Sequence, residues 1–269
     1  MARWFGPYRL VRALEPTRVG PRESNPVRSP QALRWSAVHE RETSGHLVYT
    51  LELAKHRLNA RRFTSALEAI SVLRHAHVLP IETYALDEQW GGVVVSPYLG
   101  DPGGVVTLDE LVEAKGGRMD PFEVQRSATH MLEALAAAHS CGLADGNLWL
   151  DRVHVDPRGS LHIELLGLWR EMWRGGDVAE VVARDDVRSV AAMAFRMLTG
   201  VEHGTGPGAP LDRRWEHWLR RGLDPIDGFT TAEEALRELP SGQAVAKSMG
   251  ASGALRTAAG RVRAALLSL

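Results

Sequence analysis

Cysteine is nearly absent: Cys141 is the only one in 269 residues. The chain therefore has no internal disulfide framework, and a reducing cytoplasm is the expected setting. Neither sign of charge is in excess. The 32 Lys and Arg against 33 Asp and Glu leave a formal net charge of −1, without the global basic field on which nucleic-acid binding rests. No apolar run reaches the roughly 18 residues of a membrane-spanning helix. The opening MARWFGPYRLVR has no apolar core of the kind a signal peptide needs. The eleven histidines form no HxxxH pattern, and His75 and His77, two apart beside a turn, do not make a ligand set. No metal and no cofactor are expected.

Apolar residues make up 44% of the chain, enough for a sizeable core. Tyr8–Arg12 reads as a short strand. Residues 15–30, EPTRVGPRESNPVRSP, read as an irregular loop because of their prolines. Residues 33–54 read as a hairpin turning at Glu42–Gly45. ARRFTSALEAISVLR (60–74) has helical apolar spacing. Strands are predicted over 81–87 and 92–96, with a turn around Gly91–Gly92. TLDELVEAKG (107–116) opens with Thr107 and an acidic first turn, a helix start. Residues 121–141 carry Val124, Ala128, Met131, Leu132, Leu135 and Ala138 on one stripe. The stretch GLADGNLWLDRVHVDPRGSLHIELLGLWR (142–170) reads as turn, strand, turn, strand. DDVRSVAAMAFRMLTG (185–200) is a helix with a glycine stop. WEHWLRRGL and TTAEEALREL are two short amphipathic helices. A strand-rich first third and a helix-rich remainder predict an α+β fold in two lobes: an N-lobe over 1–98, a C-lobe over 99–240, and a basic tail over 241–269. In the tail, Leu255, Ala259, Val262 and Leu266 share a helical face, which fits a partner or membrane surface, or packing on its own lobe.

Four stretches resemble the bacterial eukaryotic-like Ser/Thr protein kinases, in the right order. HERETSGHLVYTLELA is similar to the strand–turn–strand that leads to the family's ATP-binding lysine. LRHAHVLPI is similar to the segment after its C-helix. MLEALAAAHSCGL is similar to the helix entering its catalytic loop, and DVRSVAAMAFRMLTG to its F-helix. The resemblance implies a bilobal kinase-like fold, with a small antiparallel N-lobe carrying one helix and a larger helical C-lobe.

Carried across residue by residue, the same resemblance implies that the working groups are missing. The glycine-rich loop retains only Gly20. The lysine position is Leu51, with Lys55 four residues further on. The C-helix glutamate falls at Ala66, Glu68 being two positions off. The catalytic base is Asn147, and an amide cannot accept a proton near neutral pH. The lysine after the base is Trp149. The metal-binding asparagine is Arg152, whose charge repels Mg²⁺. The metal-binding aspartate is Leu165, within Leu165–Leu166–Gly167. Fewer than 20 residues separate Gly167 from Asp186, about half the family's activation segment, and no Ala-Pro-Glu element is found.

Phosphoryl transfer is mostly positioning and charge neutralisation, and each lost member costs roughly two to four decades in rate. The expected function is thus that of a pseudokinase, a non-catalytic module that binds a protein partner in bacterial signalling, with no ATP. The alternatives are an atypical kinase using Asp145, Asp151 or Glu164, and a nucleotide sensor in which Arg152 and Lys55 contact phosphate. Arg152 has a plainer use, pairing with Asp145 or Asp151 to pin the loop. Trp149 would fill vacated space. Leu51, Leu165 and Leu166 would make the old cleft apolar. Glu164 is placed on the opposite side of its strand from the lost aspartate. Asp186, like the F-helix aspartate, is expected to anchor the catalytic-loop backbone.

Overall fold

Apolar residues buried on both strand faces, such as Leu47, Val48 and Tyr49 or Val93, Val94 and Val95, build the first sheet. The computed structural model describes residues 3–18, 31–53, 57–101, 104–146, 148–173, 179–206 and 208–240. Within them lie β1 (Arg3–Phe5), β2 (Tyr8–Arg18), β3 (Gln31–His39), β4 (Gly45–Leu51), β5 (Thr83–Asp87) and β6 (Gly91–Pro97). They form one antiparallel sheet in the order β1-β2-β3-β4-β6-β5.

β2 is longer than the predicted strand and absorbs residues 15–18 of the predicted loop. Pro16 is accommodated because the β2–β3 register shifts between Leu14 and Thr17, and a bulge leaves no ladder bond for proline to miss. The turn after β5 lies at 88–90, earlier than the sequence suggests, and both glycines belong to β6. A side chain at Gly92 would meet the Phe63 ring at 2.8 Å, so this strand is glycine-bearing where the helix crosses it.

The sheet has two apolar faces. On one, Leu10, Trp35, Ala37, Val48, Val93 and Val95 form a core of their own. The sheet curls around it: the Trp90 indole N–H, in the β5–β6 turn, donates to the Trp4 carbonyl of β1 at the opposite edge, 3.3 Å away. On the other face, Leu47, Tyr49 and Leu51 join the main core together with α1 (Arg57–Ile70), through Phe63, Ala66, Leu67 and Ile70.

After β6 the chain is mostly helical: α2 (Leu108–Ala114), α3 (Pro121–Ser140), α4 (Leu168–Trp173), α5 (Ala179–Thr199), α6 (Arg213–Leu223) and α7 (Ala232–Glu238). A small sheet of β7 (Val106–Thr107), β8 (Val153–Val155) and β9 (Leu161–Ile163) lies among them. Two helix starts carry capping boxes. Thr107 Oγ1 accepts from the Glu110 N–H, and Glu110 Oε2 accepts from the Thr107 N–H at 2.7 Å. Asp120 and Glu123 do the same for α3, with Pro121 in its first turn. Each box satisfies donors that a helix start leaves bare. Thr107→Ala is expected to cost about 1 kcal/mol, and Thr107→Ser much less, read as a fall of roughly 2–4 °C in melting temperature.

α5 begins before the predicted residue 185, so Asp186 lies within the helix. With α4 starting at Leu168, both ends of the short segment between Gly167 and Asp186 are helical. Among the described residues no helix is long and apolar enough to cross a membrane. The tail 241–269 and the glycine-poor loop 19–30 lie outside the described residues.

Candidate functional site

The kinase resemblance places phosphate and metal ligands in the cleft between the two sheets. Leu51 ends β4 opposite Gly92 and is 2% exposed. Ala66 on α1 is equally buried. Neither brings a charge. Lys55 and Asn147 lie outside the described residues.

The loop after α3 is held from below. Asp186 of α5 accepts the Asp145 N–H at 2.9 Å and the Gly146 N–H at 2.6 Å, and His139 Nε2 stands 2.9 Å from the same carboxylate. Burial raises the Asp186 carboxyl above its ordinary value, opposed by the His139 hydrogen bond. A loop that turns on Gly146, at φ +72°, would otherwise leave the buried Asp145 N–H bare.

Arg152, 1% exposed, lies in the short 3₁₀ turn that precedes β8. Its guanidinium grips Asp145 at both oxygens, 2.6 and 3.0 Å, and donates to the Glu164 and Leu165 carbonyls. The Gly167 N–H donates to the same Asp145 carboxylate at 2.8 Å. Burial works against the charged guanidinium, and Asp145 outweighs it, so Arg152 stays above its usual value. These contacts tie the loop, the strand end and Leu165–Gly167 together. They turn the guanidinium towards Asp145 and the chain, where the sequence had also allowed a phosphate contact.

The leucines behave as expected in part. Leu51, Leu165 and Leu166 are all in the main core. Leu165 takes φ +48°, an uncommon conformation for a branched residue, and the Arg152 bond to its carbonyl supports it. The chamber is nonetheless not simply apolar, which corrects the sequence expectation. Glu164, fully buried, points between the lobes instead of away from them. Its Oε2 accepts from Tyr49 Oη at 2.8 Å, meets His154 Nε2 at 2.5 Å, and pairs with Arg34 Nη1 at 3.3 Å. Arg34 also donates from Nε to the Glu15 carbonyl.

Strands β2, β3 and β4 of the upper sheet and β8 and β9 of the lower one are thus stitched through a single carboxylate. Burial pushes that carboxyl up, but Arg34 and His154 together hold it far below the carboxylate range. Burial and the same carboxylate drive the Tyr49 phenol well above its ordinary value. Two carboxylates and two guanidinium groups do converge in the chamber, and each is paired within the protein. Among the described residues no group of three or more His, Cys, Asp or Glu side chains is placed to hold a metal ion.

Trp149 is partly buried against the main core. With Leu150, Met193 and Leu223 it also lines a half-open cavity of about 380 Å³ beside α5. Sequence reasoning missed Arg34, Tyr49 and His154. The available signal was Arg34 at an inward position of an otherwise apolar strand, since Ala32 and Arg34 share a parity.

No protein-family model matches the chain, and no curated protein matches it. Solved structures do. A crystal structure of the Mycobacterium tuberculosis PknI kinase domain superposes with a TM-score of 0.65 at 19% identity, covering 88% of this chain and 96% of that one. A second crystal structure of the same domain gives 0.64 at 19% identity, over 96% of this chain and 98% of that one. With a curled antiparallel sheet above a helical lobe, and this superposition over nearly its whole described length, the chain has the fold of a protein kinase domain.

Proposed function

We propose that this chain is a pseudokinase of the bacterial eukaryotic-like Ser/Thr kinase type: a non-catalytic module that acts by binding another protein. The Glu164 network carries the proposal. Its atoms from both lobes stand 2.5–3.3 Å apart with no exposed surface on Glu164, so a nucleotide entering between β4 and β8 would have to break a buried ion pair. Arg152 adds to this, because a cation paired with Asp145 occupies the place of a metal ligand. Once the cleft is filled by the protein itself, the outer surface is what the fold offers for recognition.

The test is thermal melting of the purified chain with and without millimolar Mg-ATP, alongside a phosphoryl-transfer assay. No shift and no transfer are expected. A rise of several degrees would overturn the filled cleft, because a ligand that binds only the native state stabilises it. A rise that persists with ATP in EDTA would point to a metal-free nucleotide sensor instead.

A further inference from the structure

Four histidines meet beside β9, next to the cleft network. His75 and His77 come from the loop after α1, His130 from α3 and His162 from β9. The His77 and His130 rings stack with centroids 3.8 Å apart and planes 16° off parallel. His75 lies 5.6 Å and His162 6.5 Å from His77.

The stack grips one residue. His77 Nδ1 donates to the Leu161 carbonyl at 2.9 Å, and the Leu161 N–H donates to His130 Nδ1 at 3.4 Å. These bonds assign the protons: His77 carries one on Nδ1 and His130 carries none there. The same strand is also held by the loop itself. The Ile163 N–H donates to the His77 carbonyl, and the Leu79 N–H donates to the Ile163 carbonyl, each at 2.9 Å. This is a backbone junction between the two lobes, and the next residue along is Glu164.

Protonating His130 would spoil the clamp in two ways. Its Nδ1 would become a donor facing the Leu161 N–H. Its charge would sit in a ring stacked on another histidine. The charged groups around the pair do not remove the problem. Arg126 and Glu133 face it from α3, His162 from β9, Asp156 from the β8–β9 turn, and His75 from the loop. Of the acids, Glu133 Oε2 is 3.5 Å from His77 Nε2, while Asp156 Oδ2 is engaged 3.5 Å from His162. Burial first, then His77, Arg126 and His162, lower the His130 value from 6.5 to about 3, against the pull of Asp156. His162 and His75 are lowered as well, burial again the largest cause.

We propose that the His77–His130 stack is a proton-operated clamp on β9. Neutral, it holds Leu161 by both backbone groups; in mildly acidic solution the open form takes up a proton, so the strand that leads into Glu164 opens more often. The clamp operates whether or not the cleft takes a nucleotide.

Amide hydrogen exchange of the full chain at pH 7.5 and pH 5.0, expressed as protection factors, tests it. A group neutral when closed and titrating near 6.5 when open favours opening by about 30-fold at pH 5 over neutral pH. The protection of Leu161 and Ile163 is therefore expected to fall about 30-fold, well beyond that of α5 and α6. His130→Gln keeps an acceptor for the Leu161 N–H and cannot be protonated in this range, so its protection should fall clearly less than that of the wild type, by what His75 and His162 leave. Equal protection of Leu161 at the two pH values, or the same fall in the variant, would overturn the clamp. Should the variant not fold, an NMR titration of the wild-type imidazoles decides. His130 remaining neutral at pH 5 supports the clamp, and a midpoint at 6 or above sinks it.

Discussion

Asp145→Ala is expected to destabilise the chain by about 3–5 kcal/mol, roughly 10 °C or more in melting temperature. Alanine leaves the Arg152 guanidinium charged, 1% exposed and without its bidentate partner. It also frees the Gly167 N–H. A buried charge cannot be neutralised cheaply when the group is an arginine. The double replacement Asp145→Leu with Arg152→Met should recover most of that loss, because removing both charges removes both desolvation penalties. Denaturant unfolding of the two singles and the double gives the coupling energy. Near-zero coupling would mean that the pair does not pin the loop, and the account of Arg152 given above would fail. An atypical kinase using Asp145 as its base predicts a different pattern, in which Asp145→Asn abolishes turnover without comparable loss of stability.

Glu164→Gln is expected to be nearly as costly, about 3 kcal/mol or more, although it preserves shape. The amide can still accept from Tyr49, but Arg34, 4% exposed, loses the carboxylate it pairs with. Glu164→Gln combined with Arg34→Leu should be milder than Glu164→Gln alone. If instead the single variant gained Mg-ATP binding with little loss of stability, the network would be a gate over a working site.

The pH dependence separates this network from the histidine clamp. The Glu164 carboxyl is depressed from an ordinary 4.5, so its contribution is complete above that value and lost only as the pH falls below it towards the folded value. His130 is depressed from 6.5 to about 3. For a base, the folded state then binds fewer protons than the unfolded one, and stability begins to fall below about pH 6.5. Acid loss between pH 6.5 and 5 therefore belongs to the histidines, and Glu164→Gln should leave its slope unchanged.

Much of the architecture was legible because its signals are local. Thr107 with Glu110 and Asp120 with Glu123 mark helix starts within four residues. The apolar stripe of α3 is a periodicity, and the kinase-like order of strands and helices follows from the turn and cap signals between them. β2 was read too short because proline was taken as a strand breaker, whereas a register shift accommodates it. Glu164 was placed by strand parity, but β9 ends at Ile163 and Leu165 takes φ +48°, so parity does not run from 164 to 165.

The sequence by itself determined which residues stand at positions 51, 66 and 165, namely Leu51, Ala66 and Leu165, and the kinase order of helices and strands. Only the tertiary structure decided where the remaining charges go. Arg34 and Glu164 are 130 residues apart, and of the two acids near Arg152 in sequence it is Asp145 that the folded loop sets against both guanidinium nitrogens. Pairing of buried charges depends on distance through space in a low dielectric, and no local pattern of residue types encodes that distance.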